Sequence, residues 1–187
     1  MEGKGFAKLI LAGEHAVVYG HPAIAMAVDR SVTVSLTRVE GPTQVREAQL
    51  QDQRLLTALR AVLPTQGISV TIRCDFPSGK GMGSSAALAV ALVRANARLN
   101  QVPISLEQTC DQAMVVEKIF HGTPSGLDHT VSARGGLIWY QKGPPVIMTQ
   151  LSPPSCQIVV LDSGSIGNTS DMVLQVAQKR HQLQPIL

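Results

Sequence analysis

Aromatic side chains are scarce in this chain: one Trp, two Tyr and three Phe make up 3% of 187 residues. A core must therefore be assembled from Leu, Val, Ile and Ala. The 44% hydrophobic content is enough to build one, which excludes a disordered tail. Cysteine is sparser still. Cys74, Cys110 and Cys156 are far apart, with no Cys-x-x-Cys pair and no Cys/His ligand spacing. Neither a disulfide scaffold nor a zinc site is expected, and a reducing, cytoplasmic setting fits best. An excess of one charge is also missing: 16 basic against 13 acidic residues leave +3, with no dense Lys/Arg run. The electrostatic footprint of a nucleic-acid binder is absent. Long apolar runs are lacking as well. Leu9 to Leu11 stops at Gly13-Glu14-His15, so neither a signal peptide nor a membrane span is expected.

What is present reads as one α/β unit without repeats. Phe6 to Leu11 has the look of a short strand, and Ile24 to Val28 and Val32 to Leu36 of two more, the latter alternating Val32, Val34, Leu36 with Thr33 and Ser35. Leu50 to Leu63 carries Leu55, Leu56, Leu59, Val62 and Leu63 at helical spacing and ends at Pro64. Ile68 to Cys74 is a strand by its alternation. From Ser84 the run Ser-Ser-Ala-Ala-Leu-Ala-Val-Ala-Leu-Val is small and apolar almost all round, as in a helix packed inside a protein. Ser105 to Phe120 is a second long helix with Ser105 as its N-cap. Leu137 to Tyr140 and Gln157 to Leu161 read as strands, and Thr169 to His181 as a final helix.

The segment Pro77-Ser78-Gly79-Lys80-Gly81-Met82-Gly83-Ser84-Ser85 is the most informative. Alternate glycines let backbone N–H groups turn inward and a ligand come close. The helix that follows adds unpaired N–H groups and a positive dipole end, an arrangement suited to phosphate. The Ser84 and Ser85 hydroxyls could cap the helix, touch phosphate or ligate a hard cation. Neither the GxxxxGK[ST] loop nor the GxGxxG spacing is present. A plain glycine-rich connection before a buried helix is the competing reading.

Glu117 stands on an apolar helix beside Val115, Val116 and Ile119, and Asp128 follows Pro124-Ser125-Gly126. One carboxylate for a cation and one for a substrate hydroxyl is what phosphoryl transfer requires. An exposed helix residue and a helix cap are the plain alternatives. Lys8, among Phe6, Leu9 and Ile10, points either to solvent or into a site where it would favour a developing alkoxide. His15 is a ligand contact or an ordinary turn histidine.

Taken in order, three strings resemble one family, the GHMP small-molecule kinases, and within it the mevalonate-phosphorylating branch. They are Lys8-Leu9-Ile10-Leu11-Ala12-Gly13-Glu14-His15-Ala16-Val17-Val18-Tyr19-Gly20, Pro77 to Ala87, and Glu117 with His121-Gly122-Thr123-Pro124-Ser125-Gly126-Leu127-Asp128. The resemblance implies an α+β GHMP kinase fold, with an N-terminal ribosomal-protein-S5-like α/β domain containing a left-handed βαβ unit. That ATP-binding domain would cover residues 1–150, and 151–187 would begin a C-terminal domain. It implies ATP-dependent phosphorylation of the primary hydroxyl of mevalonate, with Mg²⁺. Gly79, Lys80, Gly81, Met82, Gly83, Ser84 and Ser85 would hold the ATP phosphates. Ser85 and Glu117 would hold Mg²⁺, Asp128 would orient or deprotonate the hydroxyl, and Lys8 would pair with Asp128. Glu14, His15 and Thr169 would lie near the substrate. A small molecule is thus the expected partner, with no nucleic acid or membrane, and a homodimer is an assembly on which the residues themselves are silent. Another kinase of the family, acting on phosphomevalonate or a sugar, and a non-catalytic nucleotide-binding module are the alternatives. Three departures stand out: Phe6-Ala7 replaces a small pair before the lysine, His129 stands where asparagine is usual, and the family's third, glycine-rich motif has no counterpart. The last makes an incomplete C-terminal domain the expectation.

Overall fold

A computed structural model describes residues 1–50, 52–153, 155, 157–162, 164, 176 and 179. Thr169 and nearly all of the helix expected over Thr169 to His181 lie outside the described residues. In chain order the elements are β1 (Glu2–Ala12), a 3-10 turn (Ala16–Tyr19), β2 (Pro22–Pro42), β3 (Gln44–Ala48), α1 (Leu55–Arg60), β4 (Gln66–Cys74), α2 (Ser84–Leu99), α3 (Leu106–His121), α4 (Leu127–Arg134), β5 (Leu137–Gln141) and β6 (Ile147–Leu151).

The strands form one sheet in the order β3-β4-β2-β5-β6, with β1 also paired to β2. The long β2 organises it, pairing with β5 through Pro22 to Met26 and with β4 through Val32 to Pro42. The two strands expected at Ile24 to Val28 and Val32 to Leu36 are halves of this one strand. Phe6 pairs with Ser31 but Ala7 pairs with Val28, so Asp29 and Arg30 bulge out, exposed, and break the alternation. The β3 and β4 strands are parallel and joined through α1, which supplies the βαβ unit; the other pairings are antiparallel.

Helix α2 lies on β1 with almost no space between them. A Cβ on Gly3 would sit 2.0 Å from the Ala91 carbonyl oxygen, and one on Gly5 would sit 2.1 Å from that of Ala87. Glycines on the strand and alanines one helical turn apart let the two backbones approach. Ala86 to Val93 are all buried, as their all-apolar composition predicts. The Arg94 guanidinium pins the packing by donating to the Lys4 and Ala133 carbonyls. Helix α3 opens with a full capping box, Ser105 accepting from the Gln108 N–H and Gln108 from the Ser105 N–H, worth about 1 kcal/mol.

Buried apolar residues form two clusters. One joins Val32, Val34, Leu36, Val70 and Ile72 to α1, α2 and α3; the other joins Ala23, Ala25, Ile138 and Tyr140 to Leu127 and Val131 of α4. Ala7 belongs to the first and Ile10 packs against the second, so Lys8 lies where they meet.

Three expectations are corrected. The helix expected over Leu50 to Leu63 is confined to Leu55–Arg60, because the Asp52 carboxylate accepts from the Arg54 N–H and holds a turn ahead of it. The β3 and β6 strands were not foreseen, since Gln-Val-Arg-Glu-Ala and Ile-Met-Thr-Gln-Leu lack a clean apolar alternation. Gln157 to Leu161 is not a strand: no ladder neighbours it among the described residues, and Val159 and Leu161 are exposed.

Candidate active site

The glycine-rich loop runs from the end of β4 into α2. Gly79, Gly81 and Gly83 have φ of 74°, 77° and 72°, the left-handed region that a side chain penalises. Around Gly79 and Gly81 a Cβ would meet nothing within 4 Å, so that stretch is open. Gly83 is different: a Cβ there would lie 2.8 Å from Lys8 Cγ. The Lys8 N–H donates to the Met82 carbonyl at 3.0 Å. The loop is thus seated on Lys8, backbone and stem alike. Gly83 is the N-cap of α2 and contributes no capping side chain, so neither Ser84 nor Ser85 caps the helix. The Ser84 hydroxyl instead meets that of Ser78 at 3.3 Å. Lys80 forms an ion pair with Asp162 at 3.1 Å.

Lys8 is 4% exposed and its Nζ lies 3.4 Å from Asp128 Oδ1. The side chain points into the protein, not to solvent. The register shift of β1 against β2 falls between Phe6 and Ala7, just before Lys8, and the Ser132 hydroxyl donates to the Phe6 carbonyl there. Asp128 sits in the first turn of α4, where the dipole favours a carboxylate; the cap position is Gly126. Gly126 has a φ of 94°, and a Cβ on it would lie 2.4 Å from Tyr140 Oη. The Tyr140 hydroxyl donates to the Ser125 carbonyl at 2.9 Å, fixing the turn that presents Asp128. Burial pushes the Tyr140 phenol up to about 12.

Glu117 is 1% exposed, and its Oε1 has no hydrogen-bond partner among the described residues. Burial, and then the charge of Asp128, push its carboxyl up to about 8 against the opposing pull of the Ser85 hydroxyl and Lys8. The surface-helix reading of Glu117 is thereby excluded. One turn further along α3, His121 Nε2 lies 2.9 Å from Ser85 Oγ. Its imidazole is held below the usual histidine range, chiefly because neighbouring groups desolvate it. His129, beside Asp128, is 3% exposed with Nδ1 unpartnered among the described residues, and burial pushes it down to about 4.

Lys8, Ser85, Glu117 and Asp128, expected at one site, are therefore brought together from β1, α2, α3 and α4. Glu14 and His15 lie beyond the end of β1. His15 has a φ of 64°, a strained conformation for a side-chain-bearing residue, and Glu14 is exposed. No hydrogen bond or ion pair joins either side chain to Lys8 or Asp128 among the described residues. His121 and Tyr140 had been assigned no role. The four-residue spacing of Glu117 and His121 on one helix could have signalled the first, whereas nothing local to Tyr140 points across to Ser125.

A buried lysine paired with a partly exposed carboxylate, a buried carboxyl with an oxygen unpartnered among the described residues, and a helix start with open N–H groups form a set suited to anionic phosphate and to a hydroxyl nucleophile. Residues 51–136 are similar to the family model described as GHMP kinases N terminal domain. Other proteins are similar over more of the chain. The mevalonate kinase of Thermococcus sibiricus is 34% identical over 97% of this chain and 62% of its own length, and that of Pyrococcus furiosus gives the same three values. The crystal structure of L. major mevalonate kinase in complex with R-mevalonate superposes with a TM-score of 0.78 and 27% identity, covering 100% of this chain and 63% of that one. The chain spans less than two thirds of the length of these relatives. Among the described residues, no helix is long and apolar enough to cross a membrane.

Proposed function

We propose that this chain supplies the ATP-binding and hydroxyl-activating part of a mevalonate kinase acting in the cytoplasm. Residues 1–150 are read as the ATP-binding domain and 151–187 as the start of the next. The observation that carries this reading is the Lys8–Asp128 pair at 3.4 Å, set beneath the glycine loop that opens α2.

The loop from Gly79 to Ser85 offers N–H groups to the ATP phosphates. Lys80 adds a positive charge, at present paired with Asp162. The primary hydroxyl oxygen of mevalonate forms its bond to the γ-phosphorus, and the bond from that phosphorus to the β–γ bridging oxygen breaks. The electron pair leaves with ADP, while Asp128 receives or orients the hydroxyl proton. Lys8 keeps Asp128 pointed at the hydroxyl and neutralises charge developing on the attacking oxygen. Glu14, His15 and Thr169 are assigned to the mevalonate side.

The residues fit Mg²⁺. A buried carboxyl with an unpartnered oxygen, beside a serine hydroxyl, is what a hard cation completes, and few protein ligands suffice when phosphates supply the rest. Glu117 and Ser85 would hold it. The ion would supply charge neutralisation at the phosphates.

The test is ADP release by the protein that carries this chain, with Mg²⁺, ATP and mevalonate. Mevalonate-dependent turnover is expected, and Asp128→Asn is expected to cut kcat by about 10²–10⁴ while leaving ATP affinity nearly unchanged. Turnover of phosphomevalonate or a sugar in place of mevalonate would overturn the substrate assignment. ATP binding without turnover of any alcohol would overturn the catalytic one.

A further inference from the structure

The Ser85 hydroxyl has one proton to give and two lone pairs. If it ligates a cation, as the reading above assumes, at least one lone pair must face that ion and the proton must go elsewhere. Two side chains of α3 face it, four residues apart: Glu117 and His121. Glu117 keeps an unpartnered Oε1, an oxygen better used on the cation than on a neighbour's proton. The Ser85 hydroxyl can also donate to the Glu117 carboxyl, but once that carboxyl holds the cation, His121 Nε2, at 2.9 Å from Ser85 Oγ, is the acceptor left for its proton. The Ser78 hydroxyl does not compete, being turned to Ser84.

The backbone next to His121 is braced. The Arg54 guanidinium donates to the Phe120 carbonyl and lies 5.3 Å from the centre of the Phe120 ring. Asp52 holds Arg54 in turn, at 2.9 Å to Nε and 2.7 Å to Nη2. The Gly122 N–H closes the last turn of α3 onto the Lys118 carbonyl at 2.9 Å. Asp52 and Arg54 thus hold the backbone at the end of α3, and the exposed His121 imidazole that this turn carries meets the Ser85 hydroxyl.

We propose that His121 is a positioning residue: its Nε2 accepts the Ser85 hydroxyl proton and so turns the Ser85 oxygen toward the cation and phosphates. The inference rests on the nucleotide-and-Mg²⁺ reading of the site and adds to it the group that orients one ligand. Partners that orient a metal ligand through its hydrogen typically matter 10–100-fold in metal affinity.

The decisive measurement is ATP binding by calorimetry across a Mg²⁺ series, together with the ¹⁵N spectrum of the His121 ring. For His121→Ala, the Mg²⁺ concentration for half-maximal ATP binding is expected to rise about tenfold or more. Binding of ATP without Mg²⁺ should stay within about twofold of the unsubstituted protein, because the loop N–H groups are untouched. His121→Gln, whose amide oxygen can accept the same proton, is expected to recover most of the Mg²⁺ response. In the unsubstituted protein the Nε2 resonance is expected to be that of an unprotonated nitrogen. An Nε2 that carries the proton overturns the proposal, as does a Mg²⁺ response unchanged in His121→Ala. Equal loss of ATP binding with and without Mg²⁺ also overturns it, since that pattern marks a structural role. Failure of the unsubstituted protein to bind ATP at any Mg²⁺ concentration would instead overturn the nucleotide reading, and this inference with it.

Discussion

The carboxyl of Glu117, 1% exposed and raised to about 8 by burial and by the charge of Asp128, is protonated in the ligand-free fold at neutral pH. Its ordinary value is 4.5. Between those two values the unfolded chain has lost the proton and the folded chain has kept it, so unfolding releases a proton and is favoured as pH rises. The contribution of this group is therefore complete below its ordinary value and lost as pH climbs toward about 8, amounting to a few kcal/mol at roughly 1.4 kcal/mol per unit. Glu117→Gln removes the titration. Urea unfolding in chelator, from pH 5 to pH 8, is expected to show stability falling with pH more steeply in the unsubstituted protein than in the glutamine variant. Parallel pH profiles would mean that Glu117 is ionised in the fold. At this scale the identities of Lys8, Ser85, Glu117 and Asp128 could be picked out of the sequence, but their states could not. Whether Glu117 is buried depends on α2, 32 residues earlier, lying against α3, and whether Lys8 is buried depends on the glycine loop and Asp128 coming to lie beside it.

Helix α2 was legible because its apolar residues run all round it, and α3 because Ser105 and Gln108 have capping-box spacing. What could not be read is the contact that places α2. Gly3 and Gly5 look like ordinary terminal glycines until they are found opposite Ala91 and Ala87, and that pairing joins residues more than 80 positions apart. The missing alternation hid β3, and the bulge made the single β2 read as two strands, for the same reason: a ladder is a property of the neighbour as much as of the segment. Gly5→Ala tests the contact. Its methyl would lie 2.1 Å from a backbone oxygen that no rotamer change can move. The helix must shift, at a cost of about 1–3 kcal/mol or more by urea unfolding. Because Ser84 and Ser85 ride on the first turn of α2, ATP affinity should fall as well. A change below about 0.5 kcal/mol would show that strand and helix are not seated as closely as described.

At the scale of the whole molecule, the site is a meeting point of distant segments. Lys8 comes from β1, Ser85 from α2, Glu117 and His121 from α3, and Asp128 from α4, and Lys8 lies where the two apolar clusters abut. No subset of these elements can hold the set, because the strand, the loop seated on it and the two acidic helices fix one another. A ligand that engages all of them binds the folded chain and not the unfolded one. Mass action then requires that Mg²⁺ with ATP stabilise the entire fold, by about 2.7 kcal/mol at a ligand concentration one hundred times Kd. The gain should appear as one cooperative shift of the unfolding midpoint, read alike from secondary structure and from Trp139 fluorescence, since Trp139 lies on β5, paired to β2 and β6. In Glu117→Gln the part of the gain that depends on Mg²⁺ should vanish, while ATP alone, held by the loop N–H groups, should still give a smaller one. A midpoint unmoved by saturating Mg²⁺ and ATP would mean that the four elements, though adjacent, do not act as one binding site.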